Sequence, residues 1–190
     1  STSIESAHED YIYCIREIYS MSDYITLNIS SPNTVNLREL HTEDYLHDFL
    51  HKIKESCDQL SKKYNRNVPL LLKISPDHQE DKLEELCRII NIYEIQGVIL
   101  ANTSVDKSLL STRMYDHADG GVSGLPISKK STKMIEICRE LLHKDTIIIG
   151  CGGIVSKSGA DEKLKAGANL LQVYTGLVYE GLQLIKQIND

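Results

Sequence analysis

Five stretches of this chain finish in side chains that bind or react. "NISSPNT" (28–34) carries Asn28, Ser31, Asn33 and Thr34. "LLLKIS" (70–75) carries Lys73, and "ILANTS" (99–104) carries Asn102 and Thr103. "GCGG" (150–153) and "YTG" (174–176) bring glycines, a tyrosine and a threonine. Side-chain amides offer donors and acceptors together, which suits a flat polar ligand with imide-like edges. "SSPN" also has the composition of a plain turn. A serine hydrolase would want a G-x-S-x-G elbow, and none is present. A lysine on an apolar strand is costly unless paired or functional. Two functional roles stay open for Lys73: a Schiff-base nucleophile, or a fixed cation facing a group that becomes anionic. Glycines let backbone N–H groups approach a phosphate, and "YTG" follows Gly153 on the next strand. The pair favours a phosphate cradle over a tight turn with no ligand.

Other chemistry is poorly supported. His47 and His51 stand i, i+4 on a helix, but no third ligand accompanies them, so no metal is expected. His8, His41, His78, His117 and His143 read as surface residues. The five cysteines (Cys14, Cys57, Cys87, Cys138, Cys151) form no C-x-x-C pair and read as reduced thiols. A net charge of −6 without a basic run argues against nucleic acid. No apolar run approaches the roughly 20 residues that span a bilayer, and no signal peptide opens the chain. Ser1 suggests a chain beginning partway into a longer protein.

The elements that must position these groups alternate. Helical spacing covers 7–20, 42–64, 79–93, 128–144 and 156–168, with Thr42 a candidate N-cap. Strand patterns cover "YITLNIS", "VPLLLKIS", "IQGVILANTS", "DTIIIGCGGI" and "NLLQVYTGL". The strands look apolar on both faces, so both faces are expected to be covered. Alternating β and α with buried strands predicts a parallel sheet, either doubly wound or a (β/α)₈ barrel. Polar tips on all five strands favour the barrel, which gathers its strand ends at one mouth. A barrel has eight strands, so three N-terminal βα units are expected to be missing from this chain. The polar stretch 104–125 is long for a βα loop and is a candidate lid or ligand contact.

Six ordered motifs carry a resemblance: "NISSPNT", "LLLKISPD", "GVILANTSVDKS", "GGVSGLPI", "IIIGCGGI" and "LLQVYTG". Together they resemble class 2, quinone-dependent dihydroorotate dehydrogenase from about Tyr11 onward. The resemblance implies that residues 1–190 are the C-terminal portion of a single FMN-binding (β/α)₈ barrel domain, with about five of its eight βα units. It implies oxidation of dihydroorotate to orotate in pyrimidine biosynthesis, with electrons passed to a membrane quinone. By the same resemblance Ser31 is the catalytic base and Thr34 helps relay its proton. Asn28, Asn33, Asn102 and Thr103 meet substrate. Asn28, Lys73, Gly124, Gly153, Tyr174 and Thr175 meet FMN, the last three at its phosphate. Ala101 stands where a threonine is common, leaving at most a backbone contact to FMN, and Leu125 replaces a common arginine. Serine rather than cysteine at position 31 marks class 2. The resemblance also implies a peripheral membrane protein, at the cytoplasmic face of a bacterial inner membrane or at the mitochondrial inner membrane. The N-terminal strands and quinone-admitting helices of that family have no counterpart here, so the chain alone is expected to be a poor enzyme. A Schiff-base aldolase using Lys73 and a non-catalytic barrel fragment are the alternatives.

Overall fold

The computed structural model describes residues 6–31, 42–115 and 117–190. Its elements run α1 (Ala7–Ile18), β1 (Ile25–Asn28), α2 (Glu43–Tyr64), β2 (Leu70–Ile74), α3 (Glu80–Ile92) and β3 (Gly97–Leu100). They continue α4 (Ser128–Leu141), β4 (Ile147–Cys151), α5 (Lys157–Lys165), β5 (Leu170–Gln172), α6 (Thr175–Glu180) and α7 (Gln183–Asn189). The five strands are parallel and lie in the order β1-β2-β3-β4-β5. Right-handed crossovers that always step to the next strand place their helices on the same face of the sheet.

Register and pleat divide the strand residues between two faces. Leu27, Leu72, Val98 and Ile148 are mutual neighbours and belong to the large core. That core includes Leu46, Phe49, Leu50 and Ile53 of α2, Leu86 and Ile90 of α3, and Met134 and Ile135 of α4. Each fully buried Leu, Ile or Phe contributes about 1.5–3 kcal/mol. Asn28, Lys73, Ile99, Ile149 and Leu170 form the neighbouring row on the opposite face. Among the described residues the cluster buried there is Leu71, Ile99, Ile149 and Cys151, and it contains no helix residue. Ile147 and Leu170 are 38% and 57% exposed. The expectation of cover on both faces is therefore corrected: helices cover one face, and the other keeps apolar side chains open to solvent. This is the α/β arrangement of five consecutive units of a (β/α)₈ barrel, with β1 and β5 at the ends of the sheet among the described residues.

Local rules account for the element ends. Thr42 is extended and its carbonyl accepts the Leu46 N–H at 3.0 Å, opening α2. Asn65 closes α2 in the left-handed conformation, φ 48°. Tyr11 of α1 packs edge-on to Phe49 at 5.0 Å and donates to the Asn28 carbonyl at 2.8 Å, so α1 supports the tip of β1. The last strand is shorter than its sequence suggests: it stops at Gln172, and Thr175 already starts α6.

The stretch 104–125 is closed at its base. Ser104 and Val122 pair antiparallel through N–H···O bonds of 3.0 and 2.7 Å. Asp77, just past β2, accepts from the Ser104 hydroxyl, from the Val105 N–H at 2.9 Å and from Lys130 of α4 at 2.8 Å. Burial pushes the Asp77 carboxyl up, but those donors outweigh it and hold it at about 2.

Candidate active site

The C-terminal strand ends border a cavity of about 340 Å³. Eight residues singled out from the sequence line it: Lys73, Ala101, Asn102, Thr103, Gly124, Gly153, Tyr174 and Thr175. They come from β2, β3, the turn before α4, β4 and the start of α6, so the parallel order of the sheet converts scattered motifs into one wall.

Lys73 is half-buried, and its Nζ donates to the Gln172 amide oxygen at 3.3 Å across the open face of the sheet. Beside it, burial raises the Cys151 thiol above its ordinary range, although Lys73 and Lys163 pull the other way. Ala101 is buried, and its N–H donates to the Cys151 carbonyl at 2.7 Å.

Asn102 is held from several sides. Its N–H donates to the Ile74 carbonyl at 2.9 Å, and its Oδ1 accepts from the Thr103 N–H at 2.8 Å. Its Nδ2 donates to Asn28 Oδ1 at 3.1 Å and to Ser30 Oγ at 3.0 Å. Ser30 in turn donates to the Lys73 carbonyl at 2.6 Å. Asn28, Ser30, Lys73 and Asn102 therefore form one network across β1, β2 and β3. Ser30 is fully buried, and its place in this network is one that sequence reasoning missed. No periodic signal pointed to it, since β1 ends at Asn28 and strand alternation extends neither to Ser30 nor to Ser31. Ser31 is half-buried and, like Asn28, does not line the cavity. Asn33 and Thr34 lie outside the described residues.

At the other end the wall is built from backbone. Gly153 has φ +74°, and a Cβ there would stand 2.6 Å from Ser128 Cα, so only glycine lets the turn rest on α4. Gly124, φ +75°, would meet Thr175 Cγ2 at 2.9 Å. Thr175 Oγ1 donates to Ser123 Oγ at 2.9 Å. The Tyr174 ring is 80% exposed and turned to solvent. This glycine-lined concavity with a hydroxyl at its edge fits a phosphate group, which needs backbone close by and no side chain in between. Leu125, 64% exposed, sits outside the cavity.

His47 and His51 stay apart from this site. His47 Nδ1 is 3.2 Å from the Tyr93 hydroxyl, a contact between α2 and α3, and His51 is exposed. Among the described residues no group of three potential ligands could hold a metal ion.

Known proteins match this arrangement. The family model described as Dihydroorotate dehydrogenase matches residues 2–190. Proteins named dihydroorotate dehydrogenase (quinone) are similar over 187 residues: that of Wigglesworthia glossinidia brevipalpis is 44% identical and that of Legionella pneumophila strain Corby 40%. Each alignment covers 98% of this chain and 56% of the relative, so the chain spans little more than half their length. A ligand-free DHODH from Eimeria tenella superposes with a TM-score of 0.91 at 26% identity, covering 100% of this chain and 55% of that one. The complex of the Eimeria tenella DHODH with ferulenol gives 0.88 over 96% of this chain and 52% of that one. With six motifs in order, five barrel units in sequence and a family model matched along 189 of its 190 residues (2 to 190), the chain belongs to the dihydroorotate dehydrogenase family.

Proposed function

We propose that this chain supplies the flavin cradle and most of the substrate wall of an enzyme that oxidises dihydroorotate to orotate. The observation that carries the proposal is the convergence on one cavity of Lys73, the Asn102 network and the Gly153–Thr175 concavity. The cofactor is FMN, whose isoalloxazine ring supplies the two-electron acceptor. Gly124, Gly153, Tyr174 and Thr175 hold it, the last three at the phosphate, with Tyr174 contributing backbone only. Ala101 offers its backbone, and Lys73 sets a cation at the flavin's pyrimidine edge. Asn28, Asn33 and Asn102 bind the amides and carboxylate of the substrate, and Thr103 adds a hydroxyl. Ser31 takes the proton from C5, with Thr34 passing it outward. Serine is a weak base in water, so this step requires a site closed to solvent.

Electrons leave to a quinone through a region outside this chain, and the whole protein sits at the membrane surface, on the cytoplasmic face of a bacterial inner membrane or on the mitochondrial inner membrane. Among the described residues no helix is long and apolar enough to cross a membrane. The test uses the full-length protein. It should purify yellow, lose its colour on anaerobic addition of dihydroorotate and regain it with quinone. Borohydride trapping of a substrate carbonyl on Lys73, without flavin absorbance, would instead establish a Schiff-base aldolase.

A further inference from the structure

Lys163 of α5 is the only charged side chain among the fully buried described residues. Its Nζ donates to the Ser128 carbonyl at 3.3 Å, to Ser131 Oγ at 3.1 Å and to Thr132 Oγ1 at 3.1 Å. An ammonium has three donors, so all are used, and every acceptor is neutral. No carboxylate of the described residues pairs with it. The three acceptors make up the first turn of α4. That is the wrong end of a helix for a cation, because the dipole there is already positive. A buried cation without a counter-ion is costly. Its cost needs an offset that no carboxylate of the described residues provides.

The surroundings show where an offset would come from. The turn that Lys163 grips is the one Gly153 rests on, with Ser128 Cα 2.6 Å from the position of a Gly153 Cβ. Ser131, held by Lys163, donates to the Cys151 carbonyl at 2.6 Å, with the Leu100 carbonyl 3.2 Å from the same hydroxyl. The ammonium therefore stands behind the glycine turn, and the cavity opens in front of it. We propose that Lys163 is a positioning residue for the cradle: it clamps the first turn of α4 to the glycine turn and supplies from behind the positive potential that favours a dianionic phosphate. The inference rests on the assignment of the cradle to the FMN phosphate.

Burial pulls the Lys163 ammonium down to about 8, against the opposing fields of Cys151 and Glu162. These are the titratable groups that reach it from β4 and α5. The first turn of α4 meets it with neutral oxygens, β5 carries no charged residue, and Lys186 of α7 is exposed. The sign follows. The charge is present below that value and disappears as pH rises through it. A phosphate with its second ionisation near pH 6 is a dianion throughout that range. Bound phosphate and the Lys163 proton must strengthen each other equally.

The experiment titrates the flavin-stripped full-length protein with FMN and with riboflavin, which lacks the phosphate, and follows quenching of flavin fluorescence. Wild type should prefer FMN. Lys163→Met should leave riboflavin affinity unchanged and lower FMN affinity about tenfold, within the usual span of coupling between sites. In wild type the preference should fall by the same factor between pH 7 and pH 9.5, and in Lys163→Met it should be flat. A variant that keeps the wild-type preference, or loses both ligands equally, overturns the inference. If the variant does not fold, the wild-type pH profile decides, and a constant preference overturns it. A wild type that binds both flavins equally overturns the phosphate cradle itself.

Discussion

Ser30 and Ser31 are adjacent and differ in their surroundings. Ser30 is sealed in, bonded to Asn28, Lys73 and Asn102. Ser31 is half-buried at the start of the loop that follows β1. In the full-length enzyme, Ser31→Ala should leave FMN bound and slow flavin reduction by roughly 10²–10⁴, the range for losing a positioned general base. Ser31→Cys should retain more activity. Ser30→Ala should act elsewhere. It leaves the Asn102 amide and the Lys73 carbonyl short of a partner, at a cost of about 1–3 kcal/mol in denaturant titration. Its flavin-reduction rate at saturating dihydroorotate should stay much nearer wild type. Anaerobic stopped-flow on both variants checks this, and a wild-type rate in Ser31→Ala alongside a slowed Ser30→Ala would move the base to the other serine. At this scale the cavity-lining residues Lys73, Asn102 and Thr103 were legible because each lies at or just past the end of a strand with a side chain out of place in a core. Ser30, Gln172 and Lys163 were not, since each acquires its meaning from a neighbour on another strand or helix, and only register brings those together.

Elements were legible where periodicity ran long. α2 buries Leu46, Phe49, Leu50, Ile53, Cys57 and Leu60 at helical spacing, between an extended Thr42 and a left-handed Asn65. The carboxy-terminal pair α6 and α7 was not recognised, because six- and seven-residue helices give too few turns for a periodic signal, and "YTGL" resembles a strand tip. The long polar stretch after β3 reads from its composition as a candidate lid or ligand contact, and Asp77 fastens its base. Asp77→Asn should cost about 1–3 kcal/mol at pH 7, since the Lys130 ammonium would lose its anion. The Asp77 carboxyl is held down at about 2 in the folded protein against about 3.9 unfolded. Its contribution is therefore complete above about pH 4 and lost as pH falls through 2. The stability gap between wild type and Asp77→Asn should close over that interval. Limited proteolysis at neutral pH should cut the variant faster within 105–121.

The whole molecule has one face dressed by helices and one left open, with β1 and β5 ending the sheet among the described residues. Unpaired edges and exposed apolar strand residues invite association. The 190-residue chain expressed alone should aggregate or unfold with low cooperativity, and should not oxidise dihydroorotate. Light scattering and a thermal melt decide this; a monomer with a sharp transition and turnover would show that five units suffice. That the pattern is a barrel rather than a doubly wound sheet could be inferred from the polar tips. The one-sided cover could not, because an apolar strand reads the same whichever layer conceals it.

The strand order has a further consequence in time. Within this stretch each strand pairs with the one made just before it, so these five units can be added in the order of synthesis, one after another. The groups assigned to substrate, Asn28 and Asn102, leave the ribosome well before Tyr174 and Thr175. The cradle is therefore finished last, and a flavin captured during translation would mark a chain whose final unit has docked. Nascent chains arrested with residue 168 just outside the exit tunnel should bind no FMN, whereas those released to residue 190 of this stretch, with the rest of the barrel ahead of them, should hold it.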